Sequence, residues 1–556
     1  MKIFFLIGII GWLAVAQAVA AATNAMMIRI GSGESTMANY HDYGYNAAIL
    51  GDLTDLVSFD AIYPNAIPVG SDLRNRIESR RKTFREDCDQ AHALGLKVCV
   101  MTDEASLPVP IYNLLQQPGK PSGIDYDNPK FWEVYRAKYR EFLKAYPQVA
   151  YVIVRTGENY SNLRDGYIGR TVYTGHYDDA YIKHMQRFIE ETRKIVVDEF
   201  GRTLIWRTWD LGADGFHANP AVYDRILQGL PDRKGLILSI KFTQTDFWRY
   251  NDFNPMIGRG GVDQIVEFEC AREYEGKGAY PDYVGAIHAD AMSKAAGLGA
   301  RGVWIWDFSG GWGGPFLQTD QWVRLNIYAT SRLAQNPDLS ARALAEEWAG
   351  NEFGAPAATN VAAMLMLSPE CVRKCIYIEA YARTHSAWNP GLNLMRDDII
   401  RGEILKKLYD GSKDSLPAVF AEKEQAVALA VQMRSMFESS RSDILAARGE
   451  RVYQESLTSL IYLESLTKVM EHYVTGMFSY YQWQETRDPA AAAKARLELR
   501  AWKEAWNSYQ TDVPKLPGAA SLYRSQNGQN ADSAKGAMAD LCENAMRDLA
   551  AAQTIK

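Results

Sequence analysis

The sequence predicts a (β/α)8 barrel followed by an α-helical C-terminal domain. Three observations predict it. Eight short apolar runs recur between about Met27 and Trp306. Amphipathic segments separate most of them, and strand signals fade beyond about Gln318, where helical spacing takes over. Alternating strands and helices over about 300 residues imply a closed parallel sheet ringed by helices. A doubly wound open sheet is the structural alternative. It ranks lower because no glycine-rich dinucleotide loop follows the first run, and Gly258-Arg259-Gly260-Gly261 lacks the strand–turn–helix setting.

The chain of 556 residues exceeds one ordinary domain. Before the first run, Lys2 precedes the apolar stretch Ile3–Leu13, and Ala16-Gln17-Ala18 and Ala18-Val19-Ala20 resemble cleavage sites. Residues 1–22 are therefore expected to be a secretory signal peptide, which makes the mature protein periplasmic or secreted. The barrel is expected over 23–335 and the helical domain over 336–556.

The eight predicted strands are 27–30, 57–62, 97–101, 150–154, 203–206, 235–240, 264–268 and 302–306. Each is short, rich in β-branched or aromatic residues, and bounded by turn residues. Helices are predicted over 74–94, 129–146, 177–199 and 281–297. Beyond the barrel, 418–448 and 452–480 carry apolar residues three and four apart, Asp488-Pro489 interrupts the pattern, and 490–509 resumes it. The helical domain is expected to pack on the barrel, to dimerise, or both. The tail around 516–518 and 525–530 reads as loop.

A net charge of -6 gives no broad attraction to nucleic acid or anionic membranes. Six cysteines in so long a chain make no disulfide framework, although Cys371 and Cys375, four apart, would bridge or share a helix face. The eight histidines have no ligand spacing, so a structural zinc is not expected. The 14 Trp and 31 Tyr suit sugar stacking but also suit a large core.

In this fold the active site lies at the C-terminal strand ends. Those ends offer Arg155 and Glu158, Arg207 with Trp209 and Asp210, Lys241 and Asp246, Arg272 and Glu273, and Trp306 and Asp307; earlier strands offer Glu34, Asp60, Asp103 and Glu104. Cleaving a glycosidic bond needs a carboxylic acid for the leaving oxygen and a second carboxylate as base or nucleophile. Glu158, Asp246 and Glu273 are the expected catalytic carboxylates. Arg155, Arg207 and Lys241 suit a clamp for an acidic sugar, since a guanidinium fork fits a carboxylate. Trp209, Trp304, Trp306 and Trp312 are aromatic candidates for stacking, with core packing equally open to Trp304. Any one of these carboxylates has a blander reading as a helix cap or an ion-pair partner.

Three stretches resemble glycoside hydrolase family 67, the α-glucuronidases. Ile240-Lys241-Phe242-Thr243-Gln244-Thr245-Asp246-Phe247 is similar to the family's I-K-Y-G-P-x-D-F, and Val266–Gly276 to its L-E-x-Q-x-x-Q-E-Y-x-G. Asn326–Ala329, Arg332–Ala334 and Asn336–Ser340 resemble its N-L-Y-A-F-G-R-L-A-W-N-P-D-L-S. Val154–Glu158 and Trp206-Arg207 are weaker matches. The resemblance implies Glu158 as general acid, Asp246 and Glu273 as the pair that activates water, and Arg155, Arg207 and Lys241 around a uronate. It implies inversion, with roughly 6.5–9.5 Å between acid and base, and no metal or organic cofactor. The expected partner is a uronic-acid-containing oligosaccharide with a terminal α-glucuronic acid or its 4-O-methyl ether. The family's N-terminal α/β domain has no counterpart here, and Gln244-Thr245 stands for G-P. A glycan-binding barrel without catalysis and a glycosidase for another sugar are the alternatives.

Overall fold

A computed structural model describes residues 26–554, except 34, 117–123, 174, 212–213, 308–319, 384–401, 521 and 523–530. The signal-peptide segment, Glu34, Trp312 and the tail 525–530 lie outside the described residues.

Eight parallel strands close into a barrel. They are β1 (Ile28–Gly31), β2 (Ala47–Asp52), β3 (Lys97–Asp103), β4 (Val149–Arg155), β5 (Thr203–Arg207), β6 (Leu236–Lys241), β7 (Asp263–Glu269) and β8 (Gly302–Trp306), with β8 pairing back onto β1. Helices Asp72–Ala93, Pro129–Ala145, Asp179–Arg193, Pro220–Gln228, Gly285–Gly297 and Gln321–Gln335 lie among the connections. Sequence punctuation sets their starts. Ser71, Asn128, Asp178 and Asn219 each accept a backbone N–H of the first turn, and Pro129 and Pro220 follow directly, where a missing N–H costs nothing.

The expected second strand at 57–62 is corrected. The strand is Ala47–Asp52, in register with Ile30 on one side and Lys97 on the other. Residues 57–62 follow a short 3-10 turn. Phe59 takes the left-handed φ of 60°, and the amides of Ile62 and Tyr63 both donate to its carbonyl. Val57 and Phe59 are fully buried, so the run is apolar because it is core. Ala47 and Ala48 have weak strand preference; Ala47 fits a barrel interior with room for a small side chain, and Ala48 packs in the core outside the barrel.

The barrel's interior is plugged by Ile30, Ala47, Cys99, Tyr151, Ile153, Ile205, Ile237, Ile265 and Trp304. Strand side chains alternate. Two residues further along the same face therefore come Arg155, Arg207, Glu267 and Trp306. The plug makes a floor, and these residues stand on it at the C-terminal end.

From Ala341 onward the described elements are helical. The main ones are Ala341–Phe353, Ala358–Ile376, Leu416–Ser439, Arg441–Arg448, Glu450–Thr486, Pro489–Thr511 and Ala531–Thr554. Asp488 caps the helix that Pro489 begins. All six cysteines are buried free thiols, and Cys371 and Cys375 share the buried face of Ala358–Ile376. Among the described residues no helix is long and apolar enough to cross a membrane.

Candidate active site

A cavity of about 320 Å³ opens above the barrel plug, lined by Arg155, Glu158, Tyr160, Arg207, Lys241, Phe247, Glu269, Glu273 and Trp306. Six of the eight residues expected at the site are in this lining. The other two, Asp246 and Trp209, stand directly behind it: Asp246 is the ion-pair partner of Lys241 at 2.5 Å, and the Trp209 ring lies 4.1 Å from the Lys241 amino group.

The cations are already engaged. Arg207 forms a two-pronged pair with the buried Glu267, at 2.8 and 2.7 Å, and reaches Glu158 at 2.5 Å. Lys241 is held between Asp246 and the rings of Trp209 and Phe247. Arg155 pairs with Asp103 at 2.5 Å and lies under the Tyr160 ring, 4.5 Å from its centre. Such buried pairs fix geometry more than they add stability. Trp306 donates its indole N–H to Glu267 at 2.6 Å, so its ring is pinned at the cavity wall. Trp304 lies beneath it as barrel core.

Glu158 is placed by a turn that requires glycine. Gly157 has φ +78°, and a Cβ there would meet the backbone of Asp210 at 2.5 Å. Close approach of the loops after β4 and β5 lets the Trp209 indole donate to Glu158 at 3.2 Å. Burial would raise the pKa of Glu158, but the charges of Arg207 and Lys241 outweigh it and hold the carboxyl below the usual Glu range. Asp246 behaves alike: burial opposes ionisation, while Lys241 and the Tyr274 hydroxyl, donating at 2.7 Å, carry it below the usual Asp range.

The carboxylates of β7 and its following loop go the other way. Burial and the charge of Asp246 push Glu273 up to about 7. Burial and the nearby Glu273 raise Glu269 well above the usual value. The Glu273 amide donates to Glu269 at 3.1 Å, so the two are held together. The free cavity thus joins ionised Glu158 to a proton-retaining pair, which is the separation of pKa values that divides an acid from a base.

Glu267 and Glu269 were not singled out in the sequence reading. Their signals were the alternation in β7, where Ile265, Glu267 and Glu269 share the inner face, and, for Glu267, the matched glutamate of the Val266–Gly276 stretch. Tyr160 carried no signal, and Phe247 only as the matched last position of the stretch Ile240–Phe247. Of the other polar candidates, Asp60 pairs with Arg74 at 2.6 Å, Glu104 accepts the Val172 amide, and Asp210 accepts the Tyr181 hydroxyl at 2.9 Å. The stretch Asn326–Ala329 is bracing: Asn326 donates to the carbonyls of Cys270 and Asp282, at 3.1 and 3.0 Å. No group of three or more His, Cys, Asp or Glu among the described residues is arranged to hold a metal ion.

No protein-family model matches the sequence, and no curated protein matches it. Solved structures are similar. A GH138 enzyme targeting pectin rhamnogalacturonan II superposes with a TM-score of 0.60 at 14% identity, over 93% of this chain and 67% of that chain. A GH115 4-O-methyl-α-glucuronidase with specificity for decorated arabinogalactans, BtGH115A, gives 0.43 at 12% identity, over 89% and 62%. CpGH84B gives 0.40 at 9%, over 93% and 77%. The chain therefore has a glycoside-hydrolase-like fold, a parallel barrel with a helical C-terminal region.

Proposed function

We propose that the protein is an exo-acting glycoside hydrolase that removes a terminal uronic acid, α-glucuronic acid or its 4-O-methyl ether, from an oligosaccharide with inversion. One observation carries the reading: carboxyls of opposed proton affinity, Glu158 and Glu273, face a single cavity whose wall also holds Arg155, Arg207 and Lys241. The resemblance to family 67 and the fold shared with the GH138 enzyme support it.

The chemistry follows from the charges. Protonated Glu273 gives its proton to the glycosidic oxygen as the bond from that oxygen to the anomeric carbon breaks, its electron pair leaving on the oxygen. Ionised Glu158 takes a proton from a water whose oxygen attacks the anomeric carbon from the opposite face. This exchanges the roles that the resemblance implies. A uronate held on the spare donors of Arg207 and Lys241 leaves the Arg207–Glu158 hydrogen bond in place, so Glu158 stays ionised with substrate bound. Asp246 keeps Lys241 in place.

Arg207 makes three hydrogen bonds among the described residues out of five N–H groups, and a lysine ammonium has three donors. These spare donors are what a uronate would use. A second reading, a glycosidase for a neutral sugar, is favoured by the pairing of Arg155 with Asp103 and of Lys241 with Asp246. Incubation with a library of uronic-acid oligosaccharides, with the Glu273→Gln variant as control, tests the proposal. Release of free uronic acid by the wild type and not by the variant supports it. Release of neutral sugars only selects the second reading, and binding without release leaves a non-catalytic glycan receptor.

A further inference from the structure

Tyr377 of the helical region grips the loop that follows β7. Helix Ala358–Ile376 ends at Tyr377, whose hydroxyl donates to Glu275 at 2.7 Å and lies 3.4 Å from the Arg249 amide. Glu275 is two residues beyond Glu273, and Arg249 is three beyond Asp246. Glu275 is also ion-paired to both Arg249 and Arg272. Arg249 pairs with Asp282 at 2.9 Å, and Arg272 donates to the Phe247 carbonyl at 3.2 Å. The loops after β6 and β7 are thereby cross-linked beneath the carboxylates. Arg272 sits at φ 55°, a left-handed conformation that a non-glycine residue keeps only when its surroundings enforce it.

Tyr377 is itself held by an unusual arrangement. Lys423, on helix Leu416–Ser439, is fully buried, and its amino group donates to the carbonyls of Lys374 and Tyr377 while pairing with Glu422 at 2.7 Å. A cation at a helix C-terminus satisfies carbonyls that lack partners and complements the helix dipole. Burying one is costly. Here it fixes the residue that grips Glu275.

We infer that Tyr377 is a positioning residue, through which the helical region sets the relative placement of Glu273 and Asp246. The inference rests on the proposed role of Glu273. Tyr377→Phe is a clean probe because it removes a neutral hydroxyl and strands no charge, whereas truncating Arg249 or Glu275 leaves a buried ion unpaired.

The test uses the full chain. Tyr377→Phe is expected to lower kcat on the cleaved uronoside by roughly tenfold or more, the scale of a hydrogen bond to a charged group, with KM within about twofold and Tm nearly unchanged. The pH midpoint of Glu273, which faces Asp246, Lys241, Tyr274, Lys277 and Glu269, is expected to move with it. Tyr250→Phe is the control: it keeps the ring that packs on Tyr377 and removes only a hydroxyl that accepts from Arg373 at 2.6 Å, so kcat should hold. A Tyr377→Phe protein with lowered Tm but wild-type kcat and midpoint would overturn the inference. If the wild type cleaves no glycoside, the functional reading fails first. Carboxyl carbon-13 titration of Glu273 in both proteins then decides the positioning claim, and an unchanged midpoint overturns it.

Discussion

At the scale of single residues, the cavity is a set of paired charges from which two carboxyls stand out. Glu158 gains its ionisation from Arg207 and Lys241, while Glu273 retains its proton because burial and Asp246 both oppose charge. The pH dependence of kcat/KM reports the free enzyme. If Glu273 must be protonated and Glu158 ionised, kcat/KM is expected to fall as pH rises through about 7, and to fall again on acidification below the usual Glu range, where Glu158 takes up a proton. A profile that climbs through the same region would give the donor's role to Glu158. Arg207 illustrates why a cation in this wall is a poor mutational probe of sugar binding alone. Arg207→Ala would leave Glu267 buried without its guanidinium, so a loss of about 3–5 kcal/mol in unfolding free energy is expected. Chemical denaturation measures it; a loss under about 1 kcal/mol would mean that Glu267 finds another partner or takes up a proton.

At the scale of elements, the barrel was legible because its strands are short β-branched runs between turn residues, and seven of eight were located. The second was missed because periodicity cannot distinguish a buried loop from a strand when both are apolar. Val57 and Phe59 are core, while Ala47-Ala48 looks like neither. The site was legible through position: residues at strand ends point into the mouth. Glu267 and Glu269 lie within a strand, where the inward alternation marks them and, for Glu267, the match to the E of L-E-x-Q, but no strand-end position does. That Asp246 and Asp103 would be counter-ions was legible only as the general ion-pair reading; which cation each takes depends on side-chain approach across strands. One turn is decisive. Gly157→Ala places a Cβ against the Asp210 backbone at a positive φ. The expectation is a drop of at least about 1 kcal/mol in stability together with a larger loss of activity, because Glu158 follows directly. Unchanged Tm and turnover would show that the loop relaxes freely.

For the molecule as a whole, several buried carboxyls are raised for the same reason. Burial lifts Glu104 to about 8, and Asp210, Asp282 and Glu273 to about 7. A carboxyl whose folded pKa exceeds its unfolded value contributes stability below the unfolded pKa and loses it as pH rises through the folded one. These four are therefore expected to lower Tm progressively from the unfolded carboxylate range up to about pH 8. Glu104→Gln should flatten the upper part of that decline. A Tm that rises across the range would show that those carboxyls ionise in pairs with cations instead.

The most direct test of the account compares wild type, Glu158→Gln and Glu273→Gln on two uronosides, one with a sugar leaving group and one with an activated aryl leaving group that departs without a proton. The account predicts that both variants lose roughly 10²–10⁴-fold on the sugar, and that only Glu273→Gln recovers on the aryl substrate. Wild-type rates for both variants on the sugar substrate would contradict it.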